Sequence, residues 1–466
     1  MQETVWLDPT IEERKGSIQT KGKHKTQLKC DTDSVAGCVS QRACVYSGAR
    51  VVLNPITDAV HLVHGPIGCA SYTWDIRGSL SSGEELYRHS FSTDLQEMDV
   101  IFGGEKKLSQ AIDELAEKYN PKLFFVYSTC VVGIIGDDIE AVCKRASQKH
   151  GIEVIPVQSS GFIGNKTAGY KAACNALLKL IRPAEGAMPV KDMTINYLGD
   201  FNLAGEVWII KNYLRQMGIE PNTAFTGDSN YQTLKNATKA YLNIVQCAGS
   251  MIYLAKKMQD IYGIPYMTVS FLGIQDTSET LRRIAQAYNN PEIIRKTEEL
   301  IEQETAAVAA EIEYYRRKLA GKKAAIFVGG GFKAISLIKQ FKELDIDVVM
   351  IGTQSGRQEE YETMNELVDD GTVILDDANP SELEKFMLEK GAHLLVGGVK
   401  ERALAYKMGV AFIDHNHDRK HPLSGFAGAV NFAREVYSTV CSPVWQFVEK
   451  EGDSDEKANR SLPQCQ

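Results

Sequence analysis

The chain has 466 residues, of which 44% are hydrophobic and 24% charged, with a formal net charge of −8. That length exceeds one hydrophobic core and suits about three domains. The composition excludes a disordered or membrane class, and the acidic balance, without a basic stripe, excludes nucleic acid as the main partner.

The first residues lack the basic, apolar, small-residue order of a secretory signal, and no apolar run reaches the ~18 residues of a membrane span. A cytoplasmic setting follows as the expectation. There the ten cysteines are expected to be buried thiols or metal ligands rather than disulfides.

In chain order, residues 1–35 read as a polar N-terminal extension. Cys44 precedes Tyr-Ser-Gly, and Cys69 closes the segment HGPIGC that begins at His64. Lys122 to Tyr127 (KLFFVY) is a short apolar run of the kind that forms a buried strand, and Cys130 follows it in YSTCVVGIIGDD. Further strands are predicted at Glu153 to Val157 and Thr194 to Leu198. Pro and Gly interrupt the chain at 182–188, between these two.

Cys247 closes the apolar run LNIVQC. A charged helix is predicted over Pro291 to Leu319, with Glu, Lys and Arg at spacings suited to a solvated face. Strands resume at Lys323 to Val328, Asp347 to Ile351, His393 to Val396 and Val410 to Ile413. This βα rhythm predicts an α/β fold with three Rossmann-like, parallel-sheet domains, at 36–185, 186–320 and 321–450, followed by a tail at 451–466.

Cys44, Cys69 and Cys130 each lie in a turn rich in Gly or flanked by Pro and Gly. Cys130 also sits at the carboxyl end of a strand, where open α/β sheets build their sites. Dispersed loop thiols suit an iron–sulfur cluster better than a zinc knuckle, for which CxxC spacing is missing. His64 reads as a ligand, a proton carrier or a histidine bonded within its turn. Gly329-Gly330-Gly331 lies between a strand and a helix but lacks a full dinucleotide fingerprint, so it does not argue for a nucleotide. Cys247, taken alone, reads as a buried strand thiol.

HGPIGC at 64–69 and STCVVGIIGDD at 128–138 resemble the two signature segments of nitrogenase component 1 subunits. The resemblance extends over about 35–450, taking in YSGARVVLNPITDAVHLVHGPIGCASYTWDIRGSLSSG, DVIFGGEKKL and DHNHDRKHPLSGFAGAVNFAREV. It implies three domains around a metal-cluster cavity. Cys44, Cys69 and Cys130 are then expected to ligate a 4Fe–4S cluster, with a fourth thiolate from a β-type partner in an α2β2 assembly. Cys247 is expected to hold one end of a large metal–sulfur cofactor or its precursor. Arg77 and Lys333 would face that anionic body, and Gly330 and Gly331 would let the backbone approach it.

Departures from the catalytic subunits of that family favour a role in cofactor assembly. Tyr170 stands in the place of a substrate-side histidine, and Thr129 where Glu is typical. Ser424 falls at the imidazole that ligates molybdenum, with His421 three residues away. The resemblance therefore implies a scaffold that holds an iron–sulfur precursor while molybdenum and homocitrate are added. Its implied partners are a precursor donor, the nitrogenase iron protein as electron source, and the apo molybdenum–iron protein as acceptor. The alternatives are a catalytic α subunit and a subunit like the N chain of protochlorophyllide reductase.

Overall fold

The computed structural model describes residues 14–23, 28–30, 43–74, 79–83, 90–181, 193–416 and 419–446. A short strand β1 (Ile18–Thr20) opens it. The first sheet contains β2 (Ala59–His64), β3 (Ser90–Ser92), β4 (Leu123–Ser128) and β5 (Glu153–Val157), in the order β3-β2-β4-β5. The second contains β6 (Thr194–Asp200), β7 (Glu220–Thr226), β8 (Leu242–Val245) and β9 (Tyr266–Thr268), in the order β7-β6-β8-β9.

The third contains β10 (Lys323–Val328), β11 (Asp347–Thr353), β12 (Val373–Asp376), β13 (Leu394–Gly397) and β14 (Ala411–Asp414). With β1 its order is β1-β12-β11-β10-β13-β14. All pairings are parallel except that of β1 with β12.

The residues form two compact units. One comprises 43–269 with 285–297, and the other the described residues of 1–42, 270–284 and 298–466. The first unit carries the first two sheets, which share one core running from Val63, Phe125 and Tyr127 to Phe225, Val245 and Met251. A separate cluster around Phe124, Val126 and Ile112 covers the other face of the first sheet. In the second unit the two faces of the third sheet bury Ile326, Val328 and Phe341 on one side and Phe327, Met350 and Leu395 on the other. Strands buried on both faces tend to read as near-continuous apolar runs, and the segments that do so are the ones their composition revealed. No helix of the described residues is long and apolar enough to cross a membrane.

The helices Val45–Leu53 and Lys166–Leu180 cross in near backbone contact. A Cβ on Gly48 would stand 2.2 Å from the Lys166 carbonyl oxygen, and one on Gly169 would stand 2.0 Å from that of Val45. Backbone cannot yield as a side chain can. Gly169→Val is therefore expected to lower the unfolding free energy by about 3 kcal/mol or more, the upper end for overpacking, as read from urea denaturation.

Each sheet has a topological switch point, where chain connections leave in opposite directions from two adjacent strands and open a crevice at their carboxyl ends. In the first sheet it falls between β2 and β4, in the second between β6 and β8, and in the third between β10 and β13.

Candidate metal centre

The first switch point gathers the signature cysteines. Cys44 is the N-cap of helix Val45–Leu53, Cys69 lies in helix Ile67–Trp74 after β2, and Cys130 opens helix Cys130–Ile135 after β4. Helix starts, rather than the turns expected from Gly and Pro, thus present the thiols.

Gly161 shows how close two of them come. A Cβ on it would stand 2.9 Å from the Cys130 sulfur and 4.0 Å from that of Cys44, and its own N–H donates to the Cys130 sulfur at 3.2 Å. Burial, then the neighbouring Cys130 and Cys44, push the Cys69 thiol above its ordinary pKa. Three thiolates this near one another repel unless a cationic centre binds them.

Among the described residues no three Cys, His, Asp or Glu side chains converge on a single ion. The wider grouping of these three fits a multi-iron cluster. Cys130 is exposed and Cys44 and Cys69 half-buried. Near them in the chain, Ile67, Ile134 and Phe162 are exposed, at 58%, 75% and 59%.

Cys247 occupies the second switch point. It is the N-cap of the long helix Ala248–Tyr262, immediately beyond β8. Gly199 of β6, at φ 86°, lies against it, and a Cβ there would stand 2.7 Å from the Cys247 nitrogen. The thiol is half-buried and free, so it stands just outside the strand where the apolar run had placed it.

In the other unit, Gly330 caps helix Gly331–Glu343 and has open space where its side chain would be. The missing side chain of Gly331 accommodates Glu360, 2.7 Å from where its Cβ would lie, so helix packing is what that glycine serves. Lys333 Nζ donates to the His415 carbonyl at 3.2 Å and to Asn416 Oδ1 at 3.3 Å. Ser424 is buried as the N-cap of helix Gly425–Val440, and His421 is exposed. Tyr170 is half-buried in its helix, and Thr129 caps the helix of Cys130. Arg77, Cys38 and Cys465 lie outside the described residues.

Cys143 and Cys174 are buried thiols, each pushed up to about 12 by burial, and Cys30 lies 3.7 Å from Gln358 Oε1. Cys441 is disulfide-bonded, against the expectation that no cysteine would be.

The sequence reading passed over His415, directly after β14. It is fully buried, and among the described residues neither ring nitrogen has a hydrogen-bond partner. Its position at a strand's carboxyl end was the available signal. Burial, with Lys333 and Arg419 beside it, holds its pKa well below 6.5. Burial likewise lowers His61, which lies 2.8 Å from the Tyr127 hydroxyl, and His64.

All three depress the folded-state pKa, so their contribution to stability is present above the unfolded value of 6.5. It is lost as pH falls from there through the folded values. Unfolding midpoints in urea are thus expected to drop from about pH 7 to about pH 5.5, before most carboxylates titrate, and His61→Phe should flatten that drop.

The model of the family described as nitrogenase component 1 type oxidoreductase matches residues 44–441, and the chain belongs to that family. Members of the family bind metal–sulfur clusters and are built from several subunits.

Within it, the chain is similar to the nitrogenase iron-molybdenum cofactor biosynthesis protein NifE. Identity is 61% to that of Clostridium pasteurianum, over 94% of this chain and 97% of the relative. It is 56% to that of Methanosarcina barkeri, over 97% of this chain and all of the relative. A solved structure described as nitrogenase Cp1 at pH 5 superimposes with a TM-score of 0.86 at 33% identity, covering 96% of this chain and 98% of that one.

Proposed function

We propose that this chain is a scaffold subunit for maturation of the nitrogenase iron–molybdenum cofactor. The observation that carries the reading is its identity, over nearly all its length, to proteins named for that biosynthesis. A catalytic α subunit and a protochlorophyllide reductase N-like subunit are not favoured by those relatives. We keep the divisions near 185 and 320 as domain boundaries, one sheet to each domain.

Cys247 is the anchor of the cargo, an iron–sulfur precursor to which molybdenum and homocitrate are added. Its sulfur at the start of a long helix supports this. From the sequence resemblance alone, Arg77 and Lys333 are assigned as cations facing the cargo, Gly330 and Gly331 as backbone approaching it closely, and Ser424, with His421 near it, at the place of a metal-ligating imidazole.

Cys44, Cys69 and Cys130 hold a 4Fe–4S cluster, which when bound supplies one-electron transfer. Their thiolates orient it, and the Gly161 N–H donates to one sulfur. The exposed apolar side chains of Ile67, Ile134 and Phe162 suit burial by a NifN-like β subunit in an α2β2 assembly, which would bring the fourth thiolate. The remaining proposed partners are NifB as precursor donor, the nitrogenase iron protein, and the apo molybdenum–iron protein as acceptor, all in the cytoplasm.

The test is metal analysis of the complex purified with its β-type subunit, joined to activation of apo nitrogenase after addition of molybdate, homocitrate, iron protein and ATP. Activation that depends on this complex is the expected result. Sustained reduction of dinitrogen by the complex itself would overturn the reading.

A further inference from the structure

We infer that His64 and Asp137 are a positioning pair, a buried latch that fixes the loops of Cys69 and Cys130 relative to each other and so sets the geometry in which the cluster is held. The inference rests on the assignment of those cysteines to a cluster. His64 ends β2, five residues before Cys69, and Asp137 lies seven residues beyond Cys130. Their side chains are 0% and 4% exposed, and His64 Nε2 stands 3.0 Å from Asp137 Oδ2.

Both ring nitrogens are engaged: Nε2 faces Asp137, and Nδ1 lies 3.0 Å from the Thr93 hydroxyl. The Thr93 oxygen in turn accepts the Gly65 N–H at 3.1 Å. With both nitrogens taken up within the protein, the imidazole is left to position its neighbours rather than to ligate.

The β2 loop grips the Cys130 helix at both ends. Before that helix, the Thr129 hydroxyl donates to the His64 carbonyl at 3.0 Å. After it, Asp137 takes the His64 N–H together with the Gly104 N–H, which lies 3.0 and 3.1 Å from its two oxygens. The two cysteine loops come from different strands, and these bonds are their mutual reference. Outer partners of this kind hold ligands in orientation and tune the centre they bind. An exposed pair would do little, but this one is dry, and removing one member leaves buried donors without acceptors.

The experiment compares the complex of the full chain and its β-type subunit, wild type against Asp137→Asn, His64→Gln and His64→Ala. Asp137→Asn, with its oxygen kept toward His64, sets its NH2 where Oδ1 now lies 3.0 Å from the Gly104 nitrogen, donor against donor, whereas His64→Gln restores a donor toward Asp137. Expected for Asp137→Asn and His64→Ala are altered g values of the reduced-cluster EPR signal and iron loss to a chelator about tenfold faster, the low end for outer partners of metal ligands. His64→Gln is expected to stay near wild type in both.

A folded Asp137→Asn complex with wild-type spectrum and iron loss would overturn the inference, as would His64→Gln behaving like His64→Ala. Failure of both Asp137→Asn and His64→Ala to fold would also overturn it, by assigning the pair to fold stability alone. If only Asp137→Asn fails, the two His64 variants decide. A wild-type complex without an EPR-active cluster would instead refute the cysteine assignment.

Discussion

Cys247→Ser is expected to strip the precursor from the complex while leaving the 4Fe–4S cluster in place. A hydroxyl is a hard, weakly acidic donor where iron prefers a soft thiolate, and the substitution changes little else. The side chain keeps its size at the N-cap, where Ser is itself a favoured residue, and the contact with Gly199 involves backbone and Cβ. Iron per complex should fall by the precursor's share, and activation of apo nitrogenase should be lost. A folded Cys247→Ser complex that kept both would remove the central residue of the proposal. The precursor would then need another anchor, and the next substitution to make would be His421→Ala.

Cys69→Ala is expected to act at the other switch point. It deletes one of three thiolates from this chain, so cluster content should collapse rather than fall by a third, since the site binds the cluster as a unit. Metal binding contributes directly to the free energy of folding and assembly, so the pair with the β-type subunit should loosen too. Iron analysis, the EPR signal of the reduced complex and gel filtration read the three effects. Retention of full iron and an unchanged signal would exclude Cys69 as a ligand. Precursor held at Cys247 should survive this substitution, which separates the two sites.

The parts of the fold legible in the sequence are those where burial alone dictates composition. Predicted and observed strands agree at Glu153–Val157 and Lys323–Val328 and differ by one or two residues at the others, and the charged helix spans Pro291–Leu319 as expected. Strand β2 was hidden, because His61 and His64 break its apolar run, and partners that accommodate them, Tyr127 and Asp137, are distant in sequence. The cysteines could be singled out from their Gly and Pro neighbours. Their convergence could not, because it depends on Gly161 coming beside Cys130 across 31 residues of chain. His415 was overlooked for a similar reason: its burial is a property of packing, and its place just after the strand Ala411–Asp414 was the one hint its neighbours offered.

Strand β1 has a consequence for how the protein behaves in solution. It pairs antiparallel with β12, Ile18 to Leu375 through Thr20 to Val373, at the margin of an otherwise parallel sheet. Arg14 pins it through a 2.6 Å ion pair with buried Glu382, and Lys21 Nζ reaches the Val368 carbonyl. Without it, β12 would present a row of open amide and carbonyl groups, a template for pairing with another chain. A version shortened past Thr20 would keep every proposed metal ligand and yet expose an adhesive margin, so its failure would be seen as aggregation during expression rather than as a defect in cofactor chemistry.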